Sequence, residues 1–243
     1  MPRAGGLRWS GGCSHVPWRV EFHSCNLPFV GVLRFSYGTM GSGKSTLALQ
    51  IHHNLSTRGL RGLLCTHLDR EGAQVSSRLG VAATAVDVGP KLDLFALAQQ
   101  QVDHHGTLHY LVCDEAQFYA PEQADQLARV VDEFGTDVHA LGLLTDFRGR
   151  LFPATARFLE VADERCELQV EARCWCGSRA THNARMVDGV QVYEGETVVI
   201  GDVEALGDAQ PAEVSYELLC RRHWIAGETG RLDDATERAL SSH

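Results

Sequence analysis

Residues 38–46 read Gly38-Thr39-Met40-Gly41-Ser42-Gly43-Lys44-Ser45-Thr46, a G-x-x-x-x-G-K-S loop set between an apolar run and an amphipathic segment. The pattern predicts a strand over residues 30–37 and a helix from Ser45, with Leu47, Ile51 and Leu55 on one face and Gly59 as its stop. Such a strand, loop and helix belong to a parallel α/β sheet with a nucleotide at its edge. Gly38, Gly41 and Gly43 let the backbone turn successive N–H groups inward on a phosphate. Lys44 reaches the β- and γ-phosphates, Ser45 offers its hydroxyl to Mg²⁺, and the helix N-terminus adds its positive dipole end. The whole loop is therefore the expected ATP-binding segment.

What else the chain holds must be compatible with that loop. Its 243 residues, 44% apolar, suffice for one large domain or for a domain with a small appendage. A formal charge of −9 opposes nucleic-acid binding, which needs clustered Lys and Arg, and suits a small phosphorylated ligand better. No run approaches the roughly 18 apolar residues that a membrane span requires. Eight cysteines without a secretory signal, beside an ATP loop, point to reduced thiols in the cytoplasm.

Along the chain, residues 1–30 show neither helical nor strand periodicity and read as a flexible N-terminal tail. From 31 to 165 strand and helix patterns alternate: strands at 62–68, 81–88, 108–113 and 138–144, helices at 92–102 and 121–134. The second helix starts at Pro121 and places Ala124, Leu127, Val131 and Phe134 on one face before Gly135. The expected fold is α/β, a P-loop parallel sheet with helices on both faces. Residues 166–226 are rich in cysteine, with short strands at 190–192 and 197–200 around a Glu-Gly turn, and read as a small domain that needs a staple. Residues 227–243 read as a flexible C-terminal tail.

Two further clusters carry chemistry. Asp114 and Glu115 close an apolar strand at the sheet edge where ligands bind. Beside a phosphate loop, Asp114 is placed to hold Mg²⁺ and Glu115 to act as general base for a hydroxyl acceptor; alone, the pair would read sooner as solvated carboxylates. Cys174, Cys176, Cys220 and His223 form two short pairs that could together bind a structural Zn²⁺ and pin the ends of a long loop, or be ordinary reduced cysteines. Cys65, Cys113 and Cys166 read as small core hydrophobes.

With loop, acidic strand end and cysteine pairs in this order, the chain resembles the type II thymidine kinases over about residues 33–226. The loop at 38–46 is similar to theirs, Met40 included, which the resemblance puts near the base pocket. Asp114-Glu115-Ala116-Gln117-Phe118 matches the family's D-E-[AG]-Q-F motif, whose Glu is the catalytic base; the match implies that Asp114 and Gln117 serve the ATP side and Phe118 the substrate side. Asp146-Phe147-Arg148-Gly149 with Phe152 looks like the stretch packed beside the nucleoside. Tyr216 and residues 199–201 resemble parts of a lasso loop that closes over thymidine, and Asn183 and Arg185 fall at base-side and phosphate-side positions. The first cysteine pair is C-x-C where the family has C-x-x-C, and the segment between residues 200 and 216 is longer.

The resemblance implies an ATP- and Mg²⁺-dependent thymidine kinase acting in deoxynucleotide salvage, also on deoxyuridine, with a zinc-ribbon-like lasso domain and a homotetrameric assembly. Its partners are then a nucleoside and ATP. Two other classes compete: a P-loop ATPase driving a larger assembly, and a zinc-bearing nucleic-acid module with a nucleotide switch, against which the acidic balance weighs.

Overall fold

The computed structural model describes residues 31–67, 74–76, 82–168, 172–195 and 213–230. The expected tail at 1–30, the strand at 197–200 and most of the tail at 227–243 lie outside them. The elements run β1 (Leu33–Gly38), α1 (Lys44–Ser56), β2 (Gly62–Thr66), β3 (Gln74–Ser76), β4 (Ala82–Thr84), β5 (Val86–Asp87), α2 (Leu94–His105) and β6 (Tyr110–Asp114), then a single 3-10 turn (Ala116–Phe118). They continue with α3 (Pro121–Phe134), β7 (Asp137–Leu143), α4 (Pro153–Val161), β8 (Glu164–Glu167), β9 (His182–Val187), β10 (Val190–Val192), β11 (Val214–Leu219) and α5 (Arg221–Ala226).

A strand covered on both faces needs an unbroken apolar run, and β6 is buried at every position. It lies inside a six-stranded sheet of order β5-β2-β6-β7-β1-β8. Every pairing in that sheet is parallel. Helix α1 covers one face, where Ala48 and Leu49 pack with Leu64, Tyr110, Val112 and Leu141. Helices α2, α3 and α4 cover the other through Leu94, Ala98, Ala124, Leu127, Val131 and Phe158. There Phe158 stacks on Phe35 with ring centroids 5.1 Å apart.

Helix α3 forms as its pattern dictates. Pro121 occupies its first position, the Gln123 side chain accepts the Ala120 N–H at 2.8 Å, and Gly135 closes it at φ 66°. The segment expected as one strand at 81–88 is divided: β4 pairs antiparallel with β3, while only β5 joins the main sheet. Helix α4 and the edge strand β8 were not evident in the sequence. All four β8 residues are exposed, so Cys166 is a surface thiol and not the core residue its apolar surroundings suggested, whereas Cys65 and Cys113 are fully buried. Charged Glu164, Arg165 and Glu167 on that edge discourage further strand pairing. The second sheet is antiparallel, of order β10-β9-β11.

Candidate active site and metal centre

The phosphate loop leaves β1 and enters α1 at the C-terminal edge of the parallel sheet. Gly41 (φ 74°) and Gly43 (φ 81°) hold left-handed backbone that L side chains rarely adopt, and Gly43 caps α1 without a side-chain acceptor. Lys44 is buried, its Nζ donating to the Thr39 carbonyl at 2.8 Å and to Ser42 Oγ at 3.4 Å. The Met40 N–H donates to Asn183 Oδ1 at 2.9 Å, tying the loop to β9 in the second sheet.

Beside the loop, β6 ends on Asp114, 2% exposed, whose Oδ1 has no hydrogen-bond partner among the described residues. Burial pushes its carboxyl up to about 6 and the charge of Glu115 adds to the rise; the Ser45 hydroxyl, the Glu115 backbone N–H and Lys44 oppose it. A buried carboxylate with one orphaned oxygen, next to a hydroxyl, is a donor set for a hard cation such as Mg²⁺. Glu115 leaves the strand in left-handed backbone, φ 50° and ψ 33°, a conformation rare outside glycine. Gln117 is buried, its Nε2 donating to Glu115 Oε2 at 2.5 Å and its Oε1 accepting the Leu143 N–H at 2.9 Å.

Aromatic residues gather around the 3-10 turn that follows Glu115. Phe118 meets Phe152 edge-on, centroids 5.6 Å apart, and Phe147 and Phe152 are buried. The Arg185 guanidinium lies 3.8 Å from the Phe147 ring centroid and its Nε donates to the Tyr216 hydroxyl at 3.0 Å. Asp146 staples the turn before α4, accepting the backbone N–H groups of Arg148 and Arg150 and pairing with the Arg148 guanidinium at 2.7 Å. Trp224 of α5, which sequence reasoning overlooked, donates its indole N–H to the Phe147 carbonyl at 3.2 Å. Its only signal was an aromatic residue next to a candidate metal ligand.

Cys174, Cys176, Cys220 and His223 come together despite the short C-x-C spacing, with all four ligand atoms within 4.8 Å of one another. Cys174 Sγ is 3.3 Å from His223 Nδ1, Cys220 Sγ 3.6 Å from the same atom and 4.0 Å from Cys176 Sγ. Tetrahedral zinc with Zn–S near 2.3 Å sets ligand atoms about 3.8 Å apart, so the cluster is compatible with a structural metal. Hydrogen bonds from the Ser178 side chain and backbone pull the Cys176 thiol down to about 6, toward the thiolate a metal binds. The other ring nitrogen of His223 lies 3.6 Å from a Glu228 carboxylate oxygen, an outer partner of the kind metal-bound histidines keep.

Against known proteins, the family model described as Thymidine kinase matches residues 31–224. A curated relative from Streptomyces coelicolor named Thymidine kinase is 53% identical over 210 residues, covering 86% of this chain and 94% of the relative. One from Streptomyces avermitilis with the same name is 57% identical over 192 residues, 79% of this chain and 87% of the relative. The Thymidine kinase of Enterobacteria phage T4 is 38% identical over 199 residues, 79% of this chain and 94% of its own length. No helix among the described residues is long and apolar enough to cross a membrane.

Proposed function

The chain belongs to the thymidine kinase family, and on that premise we propose that it transfers the γ-phosphoryl group of ATP to the 5′-hydroxyl of thymidine and of deoxyuridine in deoxynucleotide salvage. The observation that carries this reading is the meeting, at one sheet edge, of a phosphate loop with a buried Asp114 whose free oxygen suits a cation and an adjoining Glu115. Gly38 to Thr46 cradle the triphosphate, with Lys44 placed for its outer phosphates. Ser45 and Asp114 would hold Mg²⁺, which when bound neutralises charge on the phosphates.

Glu115 takes the 5′-hydroxyl proton as that oxygen bonds to the γ-phosphorus and the bond to the ADP oxygen breaks. Met40, Phe118, Phe147, Phe152, Asn183, Arg185 and Tyr216 form the nucleoside side, supported by the aromatic gathering and the Arg185 stack. Most of the rate comes from positioning and charge stabilisation, since phosphoryl transfer needs little covalent help.

In this reading residues 31–165 are the kinase domain and 166–226 the lasso domain, with β8 spanning the join. Cys174, Cys176, Cys220 and His223 hold a structural Zn²⁺, and the enzyme is a cytoplasmic homotetramer, as the family resemblance implies. Incubation with ATP and each nucleoside tests the proposal: thymidine monophosphate and deoxyuridine monophosphate are the expected products, and ATP hydrolysis indifferent to nucleosides would refute it. Glu115→Gln should lower kcat by roughly 10²- to 10⁴-fold, the range of general-base catalysis, while ATP binding, read by calorimetry, stays within a few-fold. Full activity in that variant removes the general-base assignment.

A further inference from the structure

The amide of Gln117 connects the acidic strand end to the strand beside the phosphate loop. Its orientation follows from chemistry. The Leu143 N–H can only donate, so the amide oxygen must face it, and the NH₂ group is left to Glu115, a carboxylate that accepts. Leu143 is itself fixed, because its carbonyl accepts the Thr155 hydroxyl of α4 at 2.8 Å. In the parallel register of β7 with β1, Leu143 lies opposite Gly38, the first residue of the loop. The bridge therefore runs from the start of the phosphate loop, through the β7 end, to Glu115.

The backbone around it is shaped for this contact. A Cβ added at Gly142 would stand 3.0 Å from Gln117 Oε1 and 3.1 Å from its backbone nitrogen, so any larger residue there would press the amide off its place. Glu115 holds left-handed backbone, which is strained for a residue with a side chain and persists only where its surroundings over-determine it. Gln117 supplies that determination at the side-chain end. With the amide 2% exposed, water offers no replacement.

We propose that Gln117 is a positioning residue of the phosphoryl-transfer step: it fixes the Glu115 carboxylate relative to the phosphate loop, and it does so instead of contacting ATP. This rests on reading Glu115 as the general base. Two substitutions separate positioning from simple support of the fold. Gln117→Met keeps the volume and loses both hydrogen bonds. Gln117→Glu keeps an acceptor for the Leu143 N–H and sets a second carboxyl group against Glu115 where the amide donor stood.

Steady-state kinetics at pH 8 should show kcat lowered roughly ten- to hundredfold in both variants, with KM for thymidine and for ATP within about threefold, the signature of a misplaced catalytic group. Gly142→Ala, which leaves every hydrogen-bonding group in place and presses on the Gln117 amide oxygen and backbone nitrogen, should lower kcat in the same sense and reports even if the first two fail to fold. Wild-type kcat in Gln117→Glu would show that serving Leu143 is the whole role and overturn the proposal. So would a raised KM for ATP at unchanged kcat. Glu115→Gln, assayed alongside, keeps the two ideas apart: its full activity removes the base, whereas an inactive Glu115→Gln beside an unimpaired Gln117→Glu removes only the positioning role.

Discussion

Asp114 shows at the level of one residue how a ligand site opposes stability. Its carboxyl titrates near 6 in the fold against an ordinary 3.8, so the folded chain binds its proton more tightly than the unfolded chain does. The stability this contributes is present below about 4 and is lost as pH rises through about 6. Asp114→Asn, neutral at every pH, should match the ligand-free wild type in denaturant stability at pH 4 and exceed it at pH 8 by up to about 3 kcal/mol, each pKa unit being worth about 1.4. Equal stability at pH 8 would show that the buried charge is compensated. The same variant should lose kinase activity, the usual trade between a strained site and a stable fold.

Elements differ in how openly the sequence declared them. The segment from β1 through the loop to α1 was legible because glycines, Lys44 and the flanking apolar periods agree, and α3 because its cap, face and terminator agree. Strands β9 and β11 were not. Their sequences HNARMV and VSYELL carry Asn, Arg and Glu, and Asn183 and Arg185 are nevertheless buried because a loop amide and two aromatic rings receive them. No local pattern encodes partners that lie far off in the chain, and the Gln117 bridge to Leu143 was hidden for the same reason. At this scale the bond from Met40 to Asn183 joins the phosphate loop to the second sheet. Asn183→Ala leaves the Met40 N–H without its acceptor and should destabilise the protein by about 1–3 kcal/mol, read as a lower denaturant midpoint at constant slope. An unchanged midpoint would mean that water replaces the bond in full.

For the whole molecule the decisive tie is the Cys174, Cys176, Cys220 and His223 cluster, which gathers ligands from two segments far apart in sequence. A metal there would close a long loop and hold α5, whose Trp224 donates to the Phe147 carbonyl in the aromatic cluster. Metal analysis should find one zinc per chain. Chelation should abolish thymidine phosphorylation while nucleotide binding to the loop survives, checked by ATP calorimetry before and after treatment and by recovery on adding Zn²⁺. A chelated, zinc-free protein with full activity once Mg²⁺ is restored would reduce the cluster to four ordinary side chains.

The bond between Met40 and Asn183 also sets an order of events during synthesis. The two residues are 143 positions apart. At translation rates of about 5–20 residues per second, the loop leaves the ribosome roughly 7–30 s before its acceptor exists. Through that interval the Met40 amide faces water, and β1 waits likewise for Asp163, which accepts the Leu33 N–H from 130 residues further on. The loop lies near the start of the described residues and its acceptor 143 positions later, so a nascent product truncated before Asn183 carries the phosphate-loop sequence without the bond that anchors it.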